Sequence, residues 1–305
     1  MGTTASGKSQ LALELALRFG GSIINCDSLQ VYQGLDIGTA KPSLEDRQKV
    51  PHYLLSYAQY PQVMTAGEYT RDFFRLLSEH PDEKLFFVVG GTGFYFQALE
   101  KGMYPVRAPV LEIKAVVEAE LKSPGGPKRL YQELQSIDPE YSLKIHQADH
   151  YRLGRAIEMI RAEGRTITAI QKEFLAQASH FPYPLLKIAP RQSREILAQR
   201  VTQRTHEMLS SGLIDETLGV LEKGWGDWAP MAAVGYREVI DYLKEIKSLE
   251  WLASAIDQST LQLAKKQRTW FQRDPEIRWF DVNKSISELA DSTELNMLVR
   301  EFLLS

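Results

Sequence analysis

The sequence predicts an α/β fold: a parallel-sheet core that carries a phosphate-binding loop, interrupted by a helical insertion and followed by a helical C-terminal part. Three observations carry that expectation. The stretch GTTASGKS at residues 2–9 fits the pattern G-x-x-x-x-G-K-[ST]. Two short apolar runs each deliver a polar residue to their C-terminal end. The character changes near Pro105, and from Val110 to about Ala178 the chain is charged and helix-like before apolar strand character returns, so residues 105–184 read as the insertion.

The elements follow in order. Gly2, Thr3, Thr4, Ala5, Ser6, Gly7, Lys8 and Ser9 form the loop. Its glycines let backbone N–H groups approach an anion, and the helix that starts there adds its positive end. Lys8 is placed to neutralise terminal phosphate charge, and Ser9 to ligate magnesium; a bland Gly/Ser turn is the competing reading. Leu11, Leu13, Leu15 and Leu17 among alanines predict a helix that stops at Gly20-Gly21. Ser22–Cys26 reads as a buried strand ending at Asp27, and Leu85–Val89 as a second ending at Gly90-Gly91-Thr92. Loop, helix and strands in this order give a P-loop NTPase-like parallel sheet. Ligands of such sheets bind beyond the carboxyl ends of the strands, so Gly7, Lys8, Asp27 and Thr92 are expected around one crevice.

In the insertion, Ser123-Pro124-Gly125-Gly126-Pro127 is a turn, and Leu153, Ala156, Ile157 and Ile160 mark one helix face. Leu185–Ala189 then reads as a core strand, with only helices expected after it. The domains are expected at 1–104 with 185–305, and at 105–184. At 305 residues, with 44% hydrophobic and 25% charged residues, the chain has an ordinary globular composition. Its apolar runs are far too short to span a membrane, and a loop at Gly2 leaves no room for a secretory signal, so a cytoplasmic enzyme is expected. The single Cys26 excludes an internal disulfide, and the six histidines form no zinc pattern with it. A net charge of −3 neither requires nor forbids a nucleic-acid partner, because a local basic surface is enough.

The loop alone does not say which phosphate it holds. The run from Gly2 to Pro42, read with VVGGTGFYFQAL, resembles the tRNA dimethylallyltransferase (tRNA isopentenyltransferase, IPP transferase) family of bacterial type. DPEYSLKIH, RLGRAIE, GLIDE, AVGYREV and AKKQRTWF continue the resemblance, which covers nearly the whole chain. It implies a monomer that uses the loop to hold the diphosphate of dimethylallyl diphosphate, with Mg2+. The dimethylallyl group goes to the exocyclic amine of adenosine 37, beside the anticodon of tRNAs that read codons beginning with U.

That amine is a poor nucleophile because its lone pair is delocalised, so a carboxylate that takes its proton helps the carbon–nitrogen bond to form. Asp27, at a strand end beside the loop, has the position for this, and the family assigns it the role; magnesium ligation or helix capping is the alternative. The departing diphosphate gathers charge, which calls for donors aimed at it. By resemblance Thr4 and Thr92 line the reaction channel, and Lys8 and Arg204 clamp the phosphates. Arg200 and Arg204 share a helix face. On sequence alone that face reads as solvated, and only the resemblance singles out Arg204.

For tRNA, Asp27, Ser28, Leu29 and Gln30 resemble the segment that receives the target adenine. Arg152 and Arg155 lie three apart and can reach phosphates together, with Tyr151 beside them and Lys114 in the same insertion. Lys266, Trp270 and Arg273 fall on one helix face, with Lys265 and Arg268 nearby, mixing cations with an aromatic as RNA surfaces do. An exposed basic helix with Trp270 packed inward is the alternative. Ala232, Ala233, Val234, Gly235, Tyr236 and Arg237 match a further RNA-contacting stretch.

The chain departs from the family pattern at several places. His150-Tyr151-Arg152 replaces Pro-Gln-Arg, Lys266 and Lys114 stand where Arg is usual, Gln272 stands where a basic residue is common, and Gly2-Thr3-Thr4 replaces Gly-Pro-Thr. The Cys/His finger of eukaryotic members is missing. Relatives place an apolar strand before the loop, so about five residues of strand are expected to be missing ahead of Met1. Competing functions are prenylation of free adenine nucleotide, a P-loop kinase, and a non-catalytic nucleotide switch or RNA-binding module. The switch would need a guanine-reading Asn-Lys-x-Asp, but Asn283-Lys284 is followed by Ser285-Ile286.

Overall fold

A computed structural model describes residues 1–102, 110–177, 181–245, 247–282 and 285–304. The expected boundary at 104/105 and the pair Asn283-Lys284 lie outside these residues. The chain opens with α1 (Lys8–Phe19), β1 (Ser22–Asn25), α2 (Leu44–Lys49), β2 (His52–Tyr53), α3 (Ala66–Glu79), β3 (Phe86–Val89) and α4 (Gly93–Lys101). Helices α5 (Leu111–Lys122), α6 (Gly126–Ile137), α7 (Pro139–Ser142), α8 (His150–Glu163) and α9 (Ile167–Gln177) follow. The chain continues through β4 (Ile188–Arg191), α10 (Arg194–Ser210), α11 (Leu213–Glu222), a 3₁₀ turn at Ala229–Ala232, α12 (Tyr236–Lys244), α13 (Leu249–Phe271), β5 (Arg278–Asp281), α14 (Ile286–Asp291) and α15 (Thr293–Leu304). Residues 1–97 with 183–305 make one compact unit, and residues 98–182 make a second.

In the first unit the strands pair in parallel, in the orders β2-β1-β3 and β4-β5. Parallel pairing requires crossovers, which the helices between the strands supply. β1 is flanked on both edges and wholly buried, whereas among the described residues β3 pairs with β1 alone and its four residues are half-buried. Among the described residues no strand precedes the phosphate loop. Met1 lies at the edge of β4, where its nitrogen donates to Ile188 O (2.9 Å). β4 begins three residues later than the sequence suggested. β5 was not expected at all, because RWFD is short and carries charges at both ends. It forms because its Phe280 joins Leu11, Leu15, Ile286, Leu289 and Val299 in the core that seats α1.

The second core lies under the segment after β1. Val31, Tyr32, Leu35, Trp228, Met231, Tyr236, Leu252 and Ile256 fill it. It fixes α11, α12 and α13 against residues 29–37, which turns the carboxyl end of β1 into a supported platform.

The second unit is helical. Val117, Leu130, Leu134, Leu153, Ile157 and Ile167 form its core, and the face read from Leu153, Ala156, Ile157 and Ile160 points inward. Buried Asp138 caps α7 through Tyr141 N (3.1 Å) and accepts from Thr168 N (2.8 Å) and Thr168 Oγ1 (2.6 Å). Arg161 holds Glu120 and Glu133 together at 2.9 and 2.8 Å. No helix among the described residues is long and apolar enough to cross a membrane.

Candidate active site

The phosphate loop turns into α1 through Gly7, whose φ of 89° places it in the left-handed region. A β-carbon there would also lie 2.4 Å from Ile286 Cδ1, so only glycine fits this close approach. Outside contacts hold the loop: Thr4 N–H donates to Gln267 Oε1 (2.7 Å), and Gln192 Nε2 donates to Ser6 O (3.1 Å). Lys8 Nζ folds back to Thr3 O (3.2 Å). Arg200 reaches the same turn, with Nη2 3.3 Å from the position of a Gly7 β-carbon. Sequence reasoning gave Arg200 no role, because helical spacing alone does not distinguish a solvated arginine from one that faces a loop.

Asp27 stands at the end of β1. Its Oδ1 accepts from Leu29 N (3.0 Å), closing an Asx turn that presents residues 28–30. Asn25 secures the turn from behind: its Oδ1 accepts from Asp27 N (3.0 Å) and its Nδ2 donates to Leu54 O (3.0 Å). Thr92 joins from the end of β3, its Oγ1 accepting from Ser28 N (3.0 Å) and donating to Ser28 Oγ (3.2 Å). The strand pairing Asn25↔Val89 explains why these two ends meet.

Electrostatics tie the parts together. Burial pushes the Lys8 ammonium down to about 8, the negative charge of Asp27 opposes that shift, and the positive charge of Arg204 adds to it. Burial also lowers Arg204, again opposed by Asp27. Lys8, Arg204 and Asp27 therefore share a single field, to which Glu207 adds at Arg204, and a polyanion entering it would relieve the cations.

A divalent cation is implied by the resemblance, and the oxygen atoms present fit one. Ser9 offers an exposed hydroxyl in the first turn of α1, and Ser6 Oγ is buried with no hydrogen-bond partner among the described residues. Ser9 would hold such an ion, which would neutralise part of the charge of a bound diphosphate.

Downstream of Asp27, Gln30 Nε2 donates to Thr39 O (3.0 Å) and Ala40 O (3.1 Å). Glu216, a residue to which the sequence reading gave no role, holds this loop. It accepts from the backbone N–H groups of Asp36 (2.8 Å), Ile37 (2.8 Å) and Gly38 (3.0 Å), and from Tyr236 Oη (2.6 Å). Tyr236 was expected on the RNA surface. Its side chain is instead fully buried and its hydroxyl engaged, so it braces the loop from inside. Its neighbours Ala232 and Arg237 are exposed, Ala233 and Val234 are half-buried, and Gly235 is buried. Arg237 pairs with Glu238, which also accepts from Gly235 N (2.8 Å).

The basic face of α13 is a groove of about 470 Å³ lined by Gln262, Lys265, Lys266, Thr269, Trp270 and Arg273. The helix ends at Phe271, so Arg273 reaches the groove from the turn beyond it, and Arg268 is not part of the lining. Trp270 lines the groove and also packs inward: a β-carbon on Gly93 would lie 2.2 Å from its Cδ1. In the second unit Tyr151 is 80% exposed at the start of α8. Arg152 and Lys114 are exposed and lie 3.4 and 3.8 Å from Asp149 and Glu118, and Arg155 is paired with Glu158.

The family model "IPP transferase" matches residues 30–274. The chain belongs to the IPP transferase family. A tRNA dimethylallyltransferase of Bdellovibrio bacteriovorus is 53% identical over 96% of this chain and 96% of its own length. The enzyme of that name from Synechocystis is 40% identical over 93% and 90%. Among solved structures, the tRNA isopentenylpyrophosphate transferase of Bacillus halodurans covers 99% of this chain with 94% of its own, at TM-score 0.70 and 31% identity. A eukaryotic dimethylallyltransferase described as acting on tRNA reaches TM-score 0.81 at 25% identity, over 97% of this chain and 76% of its own. The IPP transferase motifs AKKQRTWF and GLIDE thus include two residues, Gln267 and Glu216, whose contacts became visible only in three dimensions.

Two predictions follow from the charges. Lys8 must be protonated to hold a phosphate, and its ammonium is depressed to about 8, so affinity for inorganic diphosphate should fall as pH rises through 8. The loss should approach about tenfold per pH unit above that point, beyond the trend of a Lys8→Arg variant, when measured by titration calorimetry. A parallel pH profile for the two proteins would contradict the depressed ammonium. On α13, Lys266→Ala should weaken tRNA binding and reduce the salt slope by about 0.7–0.9. An unchanged slope would make this a solvated face.

Proposed function

We propose that this IPP transferase moves the dimethylallyl group of dimethylallyl diphosphate onto the exocyclic amine of adenosine 37, next to the anticodon of tRNAs that read codons beginning with U. The observation that carries the reading is Asp27 at the mouth of the phosphate loop, held by an Asx turn and lying in the field of Lys8 and Arg204.

In the proposed reaction the amine lone pair attacks the allylic carbon. The carbon–oxygen bond breaks, and its electron pair leaves on the diphosphate. The amine proton passes to Asp27, whose second carboxylate oxygen is outside the Asx turn. Lys8, Arg204 and the loop N–H groups receive the charge that develops on the leaving group. Thr92 turns its hydroxyl proton from Ser28 Oγ to the bridging oxygen while still accepting from Ser28 N, and Thr4 lines the same channel. Ser9 would hold Mg2+, which supplies further neutralisation of the diphosphate. Ser28, Leu29 and Gln30 seat the adenine, and the α13 groove with Lys114, Tyr151, Arg152 and Arg155 grips the tRNA. The protein is proposed to act as a cytoplasmic monomer.

The test is label transfer. Protein with Mg2+ and labelled dimethylallyl diphosphate should label tRNA with adenosine next to the anticodon, and should leave AMP unlabelled. Label in AMP but not in tRNA would replace this reading with that of a free-nucleotide prenyltransferase.

A further inference from the structure

Gln267 stands with its side-chain amide between the two loops that form the reaction channel. Oε1 accepts the N–H of Thr4 at 2.7 Å, and Nε2 donates to Gly91 O at 3.0 Å. One planar group therefore ties the phosphate loop, at the start of the chain, to the loop after β3. Both lengths are those of well-made bonds. The two loops need opposite partners, a donor for Gly91 and an acceptor for Thr4. Among side chains only an amide supplies both from one rigid plane without titrating, and asparagine is shorter by a methylene.

The loop after β3 is shaped to receive it. A β-carbon on Gly91 would lie 2.4 Å from Gln267 Nε2, and one on Gly93 would lie 2.2 Å from Trp270 Cδ1. The two glycines bracket Thr92, so the backbone on either side of Thr92 closes directly onto α13. Thr92 in turn fixes Ser28 through its Oγ1. The path from α13 to the adenosine-receiving segment is thus Gln267, Gly91, Thr92, Ser28, with Thr4 attached at the first step.

We propose that Gln267 is a positioning residue for the transfer step: its amide sets the separation of Thr4 and Thr92, and hence the alignment of the leaving oxygen with the incoming amine. The inference rests on the proposed role of these two threonines in the channel. Gln267 is half-buried and is not among the residues that line the α13 groove, so its effect is on the rate of transfer and not on the hold on tRNA. A misplacement of reacting groups by about 1 Å costs on the order of 100-fold in rate.

The experiment is a double-mutant cycle on single-turnover transfer to tRNA, with tRNA affinity and thermal midpoint measured alongside. Gln267→Met keeps the side-chain length and removes both bonds. It should slow transfer by about 30- to 100-fold and leave tRNA affinity within about twofold. Gly91→Ala pushes the amide out from the other side and should slow transfer similarly. The double variant should be no slower than the slower single, the mark of one shared interaction. Transfer by Gln267→Met within about twofold of the parent, or multiplied losses in the double variant, would overturn the proposal. So would a fall in tRNA affinity or in thermal midpoint that accounts for the rate loss. If Gln267→Met does not fold, Gly91→Ala alone decides: unimpaired transfer by that variant overturns the proposal. A parent protein that labels no tRNA at all would instead refute the proposed function, which keeps the two failures apart.

Discussion

Lys8 and Arg204 are half-buried, and the carboxylate whose charge acts on both is Asp27. Burial pushes both cations toward their neutral forms, and Asp27 offsets part of that cost. This unfinished balance organises the site. Lys8 and Arg204, together with the positive end of α1, favour an anion at the loop. In the proposed reaction the same balance serves both ends of the chemistry. The cations draw the diphosphate away, and Asp27, whose charge acts on both of them, takes the amine proton.

The scaffold holds this arrangement from two directions. From below, β1 and β3 pair in register and bring Asp27 and Thr92 side by side. From the flank, α13 reaches the phosphate loop and the β3 loop through Gln267 and Trp270. The same helix carries Lys265 and Lys266 on its outer groove. A surface suited to RNA and a support for the channel are thus two faces of one 23-residue helix. Glu216 does comparable work for the segment after Asp27, gathering three backbone N–H groups and the Tyr236 hydroxyl. Four donors on one carboxylate fix residues 36–38 against α11 and α12.

How much of this the sequence disclosed depended on the range of the interaction. The phosphate loop, α1 and the strand ending at Asp27 are local patterns, and each stands where the residues put it. The inward face of α8 was equally legible, because apolar spacing along one helix is local information. β5 was missed because a four-residue charged strand has no periodicity to read, and its pairing with β4 spans most of a domain. Gln267 and Glu216 were missed for a related reason. Their partners are 263 and about 180 residues away, and nothing in AKKQRTWF or GLIDE says where the side chain will land. Tyr236 was read as an RNA contact because residues 232–237 match an RNA-contacting stretch of the family; a stretch matched as a unit does not say which of its side chains turn inward, and Tyr236 is buried.

The central claim is that Asp27 takes the proton as the carbon–nitrogen bond forms, and Asp27→Asn tests it most directly. The substitution is isosteric and keeps the oxygen that accepts from Leu29 N, so the Asx turn survives. Single-turnover transfer to tRNA should fall by about 10²- to 10⁴-fold, while tRNA affinity stays close to that of the parent. Near-normal turnover by the asparagine variant would contradict the account.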